Sequence, residues 1–111
     1  MPQLTIRGIE PRAIAAIAVP LVQELALVCE CGTDNFTLDI LQVTTVSVTD
    51  GQQADTYPFI EVAWFERGQD VRDRFAETVT RHLRQGGVSE AEIAFKVYAE
   101  AAYYVNGEPC V

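Results

Sequence analysis

The strongest constraint on the fold of this chain is an internal repeat with a spacing of 56 residues. Pro2–Arg7 has the pattern of a strand, with apolar residues at every second position. Pro58–Trp64 repeats that pattern with proline again at its head, and Asn106-Gly107 falls over Asp50-Gly51 at the same spacing. The repeat predicts two copies of one supersecondary unit.

Each repeat reads as strand, helix, strand and short strand. The first repeat predicts a helix from Pro11 to about Cys29, with strands over 2–8, 36–41 and 43–48. The second predicts a helix over 68–85, with strands over 58–65, 93–98 and 102–105. Proline suits the first position of a helix, whereas Pro20 inside the first helix predicts a kink or a local break.

These elements predict one α+β domain over residues 1–111, built from two βαβ repeats at about 2–51 and 58–107. Each unit is expected to be right-handed with parallel main strands, and the two form a four-stranded sheet with both helices on one face. The helix-facing positions are Leu4, Ile6, Phe36, Leu38, Ile40, Ile60, Val62, Trp64, Ile93, Phe95 and Val97. The opposite face has a mixed character and carries Thr5, Arg7, Thr37, Asp39, Glu61, Ala63, Lys96 and Tyr98. Arg7 is expected to pair there with Glu61 or Asp39.

Charge and hydropathy limit the possible partners and the location of the protein. Sixteen acids against eight bases give a net charge of −8, which argues against nucleic acid and anionic membrane surfaces as partners. The longest apolar stretch, Ala13–Val22, is too short to span a bilayer, and Arg7, Glu10 and Arg12 interrupt any signal-peptide core. A cytoplasmic location is therefore predicted.

The cysteines and the single histidine predict neither a disulfide framework nor a metal site. Three cysteines are an odd number, and the Cys29-Glu30-Cys31 spacing is too tight for the usual metal knuckle. His82 lies one residue off the apolar stripe of the second helix and is interpreted as a satisfied border residue. With no phosphate loop or Ser–His–Asp pattern, the chain is predicted to need no cofactor.

A duplicated βαβ unit with proline after Met1 and again at Pro58 resembles the tautomerase superfamily, which includes 4-oxalocrotonate tautomerase and macrophage migration inhibitory factor. The string Tyr57–Phe65, with Tyr103-Tyr104 and Asn106-Gly107, is similar to a small uncharacterised bacterial family of tautomerase-like proteins. The resemblance implies a homotrimer whose sheets enclose a central barrel. It also implies one site per chain around the amino-terminal proline, at a subunit boundary.

The same resemblance makes Pro2 the candidate catalytic base. An α-amino group titrates near 8, and an apolar pocket or a nearby arginine lowers its pKa further. Removal of Met1 is required, because a retained Met1 acylates the proline nitrogen. The alternative interpretation is that Pro2 only begins a strand.

Four further residues are candidate substrate contacts. Arg12 opposes the helix dipole and lies where 4-oxalocrotonate tautomerase has a carboxylate-binding arginine; the alternative is an exposed, paired side chain. Arg67, in the loop after the strand 58–65, could reach an anion or simply be solvated. Tyr103 and Tyr104 lie on the terminal short strand, which in this superfamily contributes to a neighbour's site; core or interface packing is the alternative. A second arginine of that enzyme falls on Thr37 here, which departs from the dicarboxylate pattern.

The sequence therefore leaves two functions open, and whether the chain is an enzyme is not decided at this point. The first is a small isomerase that moves a proton on a 2-keto or enol acid, with a small carboxylate as ligand. The second is a trimeric structural or ligand-binding module that kept the scaffold and lost the base.

Overall fold

The computed structural model describes residues 1–111 and contains eight strands and two α-helices. In chain order these are β1 Gln3–Arg7, α1 Pro11–Cys29, β2 Thr37–Leu41, β3 Val48–Thr49, β4 Gln52–Gln53, β5 Phe59–Trp64, α2 Gln69–Gln85, β6 Glu92–Val97, β7 Tyr104–Val105 and β8 Glu108–Pro109. Four strands form one sheet in the order β2-β1-β5-β6. β1 is parallel to β2 and β5 is parallel to β6, whereas β1 and β5 are antiparallel. The predicted α+β fold of two βαβ units is confirmed.

The core lies between the sheet and the two helices. The inner face of α1 contributes isoleucine, leucine and valine side chains, and the centre of the sheet contributes the alternate positions of β1 and β5. An aromatic cluster closes one end: the rings of Trp64 and Phe75 meet edge to face at 5.5 Å, and Phe95 lies 4.8 Å from Trp64. Most of the predicted helix-facing residues pack in this core, but Val97, at the end of the edge strand β6, is 48% exposed.

α1 is continuous through Pro20. Of the predicted kink or local break, the break is therefore wrong, and the kink stays a prediction. Proline removes the N–H that would bond to the carbonyl of Ala16. Both Ala16 and Pro20 are exposed, so this carbonyl lies on the solvent side of the helix, where water can donate a hydrogen bond to it. α1 is also long and apolar enough to cross a membrane, but its inner face is part of the core, so this is weak evidence for a membrane span.

The face of the sheet away from the helices is uncovered within the chain. The register places both Glu61 and Asp39 opposite Thr5, whereas Arg7 lies opposite Phe59. The Arg7 guanidinium sits over the Phe59 ring at 5.1 Å and makes no salt bridge. The predicted pairing of Arg7 with either acid is therefore wrong, because the cross-strand neighbour of each acid is a threonine.

Two hairpins project from the sheet as arms. β3 pairs with β4 through Asp50-Gly51, and β7 pairs with β8 through Asn106-Gly107, with all four turn residues at positive φ. This is the turn that Asp-Gly and Asn-Gly favour. The predicted strand over 43–48 is reduced to its last residue. The residues before it contact the chain through isolated hydrogen bonds, such as the one from the Ala54 N–H to the Ser47 carbonyl, and not through a strand ladder. The arms give a radius of gyration of 15.3 Å, against about 13 Å for a compact chain of this size.

Gly8 fixes the connection between β1 and α1. Its φ is +79°, and an added Cβ would lie 2.7 Å from the carbonyl oxygen of Tyr57 and 2.8 Å from that of Thr56. Gly8 therefore lets two backbone segments approach more closely than any side chain permits.

Gly8→Ala is expected to lower the free energy of unfolding by about 2–4 kcal/mol, from the left-handed conformation and the backbone clash together. Gly87 is the matched control, because its φ is +93° and nothing lies within 4 Å of an added Cβ. Gly87→Ala is expected to cost only about 1–2 kcal/mol. Urea unfolding of both variants measures the difference; equal losses would contradict the close approach at Gly8.

A polar link joins the two helices on their outer side. The buried His82 ring Nε2 lies 3.0 Å from Oε1 of Glu24, and Arg81 donates to the same carboxylate. The hydrogen bond from Arg81, followed by that with His82, lowers the pKa of Glu24 from 4.5 to about 2. His82 is thus a satisfied residue at the border of the core.

Glu24→Gln is expected to destabilise the protein above pH 4.5, the ordinary pKa of the carboxyl, and the loss should vanish as pH falls toward 2. The sign follows because a carboxylate with a depressed folded-state pKa stabilises the fold only while ionised. The Glu24 side chain is 35% exposed and therefore screened by water, so we expect about 1 kcal/mol at pH 7. Chemical unfolding at several pH values measures it, with Glu90→Gln as the unpaired control; a pH-independent loss would contradict the ion pair.

Candidate functional site

Pro2 lies at the aromatic end of the core. Because Gln3 pairs with Ala63 on one side and Thr37 on the other, the next position in register places Pro2 between Trp64 and Phe36. The Thr37 N–H donates to the Pro2 carbonyl at 3.3 Å. The Pro2 side chain is fully buried, on the side of the sheet that faces the helices.

Arg67 reaches this end of the sheet from the loop between β5 and α2. Its Nη1 donates to the Phe65 carbonyl at 3.0 Å, and its Nη2 donates to the Met1 carbonyl at 3.5 Å. The guanidinium also lies over the Trp64 ring at 5.2 Å. Since the Met1 carbonyl belongs to the peptide bond that acylates Pro2, Arg67 is held next to the proline nitrogen.

The Arg67 loop is fixed by Glu66. The Glu66 carboxylate accepts the backbone N–H groups of Arg67 at 3.0 Å and Gly68 at 3.1 Å, and it also pairs with Arg72. The Gly68 N–H, followed by Arg72, lowers the pKa of Glu66. A carboxylate at the start of α2 suits the helix dipole, so the arrangement also stabilises the helix.

Met1 closes the site. Its amine donates to the Asn35 carbonyl, and burial, together with the nearby Arg67, lowers the pKa of this amine from 8.0 despite opposing thiols and a carboxylate. With Met1 in place, Pro2 nitrogen is an amide and has no basic lone pair. The larger cavities of the chain lie elsewhere; one of about 1280 Å³ is an open groove between α1 and α2.

Tyr103 lies at the same end, on the uncovered side of the sheet. Gln3 Nε2 is 3.4 Å from the Tyr103 hydroxyl, and the ring packs edge to face on Phe65 at 5.2 Å and against Tyr98 at 5.6 Å. Tyr104, by contrast, is 62% exposed on its arm. Of the two tyrosines, only Tyr103 is brought to the Pro2 end of its own chain.

Arg12 is not brought to Pro2. It follows β1, whose five residues extend about 16 Å, and so it lies at the opposite end of the strand. The antiparallel pairing of β1 with β5 instead delivers the loop of the second unit, with Arg67, to Pro2. The 56-residue repeat aligns Arg67 with Pro11 and Gly68 with Arg12. It therefore places Arg67 at the start of the second helix, as Arg12 is at the start of the first.

Trp64 was not predicted from the sequence as a site residue. The Trp64 side chain is fully buried, yet its indole Nε1 has no hydrogen-bond partner. An unpaired buried N–H is costly, and such groups in native proteins call for an explanation. Only its place in the register beside Pro2 draws attention to it.

None of the remaining reactive groups near the Pro2 end of the sheet indicates a metal site. Burial raises the pKa of the Cys29 thiol to about 11, so it stays protonated at neutral pH. The chain contains no group of three or more His, Cys, Asp or Glu side chains placed to bind a metal ion.

Comparison with known proteins gives the family. The profile of the Domain of unknown function (DUF1904) matches residues 1–109. The chain belongs to the DUF1904 family. A DUF1904 structure from Sebaldella termitidis ATCC 33386 is 31% identical, with a TM-score of 0.86 over 98% of this chain and 99% of that one. A protein of unknown function from Vibrio cholerae O1 biovar eltor str. N16961 is 27% identical, with a TM-score of 0.83 over 97% and 86%. No curated protein sequence matches.

More distant solved structures of tautomerase-superfamily proteins share this fold. A fused 4-OT, with 10% identity, has a TM-score of 0.78 over 98% of this chain and 96% of that one. Other matches include a macrophage migration inhibitory factor-like protein from Entamoeba histolytica and a fused 4-OT symmetric trimer. At these identities the likeness concerns the fold alone, and it confirms the resemblance drawn from the repeat.

Arg67→Gln is expected to raise the pKa of the terminal amine, because the neighbouring cation disfavours the protonated form. An NMR titration of the Met1-containing protein measures it. Arg72→Gln is the matched control, since Arg72 stacks on the same Trp64 ring but does not bond to Met1. An unchanged amine pKa in Arg67→Gln would show that the guanidinium does not act on this end of the chain.

Proposed function

We propose that this DUF1904 protein is a tautomerase of small 2-keto or enol acids that uses the Pro2 amine as its base. The observation that carries the proposal is the position of Arg67, whose guanidinium bonds to the carbonyl attached to the Pro2 nitrogen. Removing Met1 would convert that nitrogen to a secondary amine and leave Nη2 of Arg67 without this acceptor. A base and an unpaired cation would then lie side by side.

The surroundings suit a base that is neutral near pH 7. A model α-amino group titrates at about 8, and the aromatic side chains Trp64 and Phe36, together with Arg67, disfavour the charged form. In the proposed reaction the substrate carboxylate binds Arg67. The amine takes the hydroxyl proton of the enol and returns a proton to the neighbouring carbon, which gives the 2-keto acid and regenerates the neutral amine. Tyr103 is proposed as a polar contact at the same edge.

The proposed assembly is a homotrimer formed through the uncovered sheet face and the two arms. The arms and the segment before β3 expose apolar side chains, among them Val46, Val48 and Tyr104. The fused 4-OT of the same fold forms a symmetric trimer. Arg12 and Tyr104 enter the proposal only as groups that would reach the Pro2 site of a neighbouring chain. The cytoplasmic location also remains a proposal.

A second function has an observation of its own. With Met1 retained, Pro2 is buried, the terminal amine bonds to Asn35, and Arg67 is occupied. This closed arrangement favours a structural or ligand-binding module without catalysis.

The two functions are separated by the first residue of the mature chain. The form that begins at Pro2 is expected to ketonise phenylenolpyruvate, with activity rising as pH passes upward through an amine pKa below 8, because only the neutral amine accepts a proton. A form that retains Met1 is expected to be inactive. Pro2→Ala, with Met1 removed, retains a primary amine and should keep reduced activity.

Intact mass establishes the first residue of each preparation, and absorbance follows ketonisation. Arg67→Gln is expected to raise KM more than it lowers kcat, with Arg72→Gln as the control. Full activity in the Met1-containing form would exclude Pro2 as the base. Inactivity of every form on enol acids would favour the non-catalytic module.

A further inference from the structure

The outer face of α1 is apolar, which is unusual for the solvent side of a surface helix. Val19 is 67% exposed and Leu27 77% exposed. The exposed stripe contains no charged side chain between its two ends; its inner members are Ala15, Ala16, Val19, Pro20, Gln23 and Leu27. The exposed side of α2, in contrast, is rich in charge and carries Asp73, Arg74, Glu77, Arg81 and Arg84.

The two charges at the ends of the stripe both oppose the helix dipole. Arg12 lies in the first turn, which contains no acid, and Glu30 caps the last turn, which contains no base. Each such placement is normally unfavourable. Neither side chain takes part in a salt bridge within the chain. Glu30 also adopts a left-handed conformation, with φ of 53°, where glycine is the usual residue.

Arg12 and Glu30 lie on one line along the helix. They are 18 residues apart in sequence, and 18 residues are about five full turns, with a rise of about 27 Å. The stripe is therefore an apolar surface with a cation at one end and an anion at the other. Reversed end for end, it is complementary to itself.

We propose that α1 forms an antiparallel, two-fold interface with α1 of a second copy of this chain. About an axis at Leu21, Arg12 meets Glu30 of the partner copy at both ends of the contact, and Val19 meets the partner's Gln23 near its centre. Ala15 then lies opposite the partner's Leu27, so a small residue receives a large one. Such an isologous contact repeats every pairing twice, and small residues allow two helix axes to approach to about 8–10 Å.

Charge favours a second copy over a membrane surface as the occupant. The chain carries a net charge of −8, which repels anionic lipids. A lipid surface also offers no fixed partner for one cation and one anion about 27 Å apart, whereas a reversed copy of the helix offers both. The helices and the uncovered sheet face lie on opposite sides of the chain, so this contact does not compete with the proposed trimer and does not depend on it.

Charge reversal tests the proposal on the full chain. Arg12→Glu and Glu30→Arg each place like charges together at both ends, and each is expected to lower the mass measured by light scattering near the dissociation constant toward that of the dissociated form. We expect each single reversal to weaken association by about tenfold. The double variant Arg12→Glu/Glu30→Arg restores opposite charges and should recover the original mass. Each substitution suits the dipole of its own helix, so thermal unfolding should confirm that the fold is intact.

Two more variants complete the test. Leu27→Asp is expected to lower the mass as well, and Arg84→Glu, an exposed charge reversal on α2, is expected to leave it unchanged. If the protein is a trimer, loss of the α1 contact would reduce the assembly from six chains to three. If it is not, the same loss would reduce the assembly from two chains to one, so the trimer and the α1 contact are tested separately. An unchanged mass in the α1 variants, or a double variant whose mass does not return to that of the native chain, would overturn the proposal. Binding of the native chain to neutral vesicles with no change in mass would assign this face to a membrane.

Discussion

The antiparallel pairing of β1 with β5 holds the molecule together. Each βαβ unit supplies two strands, and this one seam joins the units into a sheet wide enough to carry both helices. The residues on the helix side of the seam, including Leu4, Ile60 and Val62, are completely buried. The same seam reverses the direction of the second unit, so the loop after β5 arrives at the beginning of β1. Both the core and the candidate site follow from that reversal.

Local chemistry made most of the fold predictable. Alternating apolar residues marked the strands, a 3.6-residue period marked the helices, and Asp-Gly and Asn-Gly marked the arm turns. The errors arose where the outcome depends on surroundings. Pro20 leaves α1 continuous because the carbonyl it orphans lies on the solvent side of the helix, and Arg7 misses its predicted acid because the register aligns Thr5 with both carboxylates.

The candidate site was less predictable, because its members come from four separate parts of the chain. Pro2 stood out for the chemistry of an amino terminus, but Arg12 and Arg67 are both arginines near the start of a helix. The sequence made both arginines candidate substrate contacts but did not show which of them reaches Pro2. The relative direction of the two βαβ units determines that Arg67 does. The unpaired indole N–H of Trp64 is a property of packing, and no pattern of residue types reveals it.

The burial of Pro2 behind a half-buried Met1 has a consequence for timing. The Met1 carbonyl is bonded by Arg67, the Met1 amine by Asn35, and Pro2 is enclosed by the core. A peptidase must draw the scissile bond into its own active site, and the folded chain does not present this bond. We therefore expect any removal of Met1 to precede the docking of β1 into the sheet. A chain that folds first would keep its methionine, so the order of cleavage and folding would decide whether position 2 carries an amine or an amide.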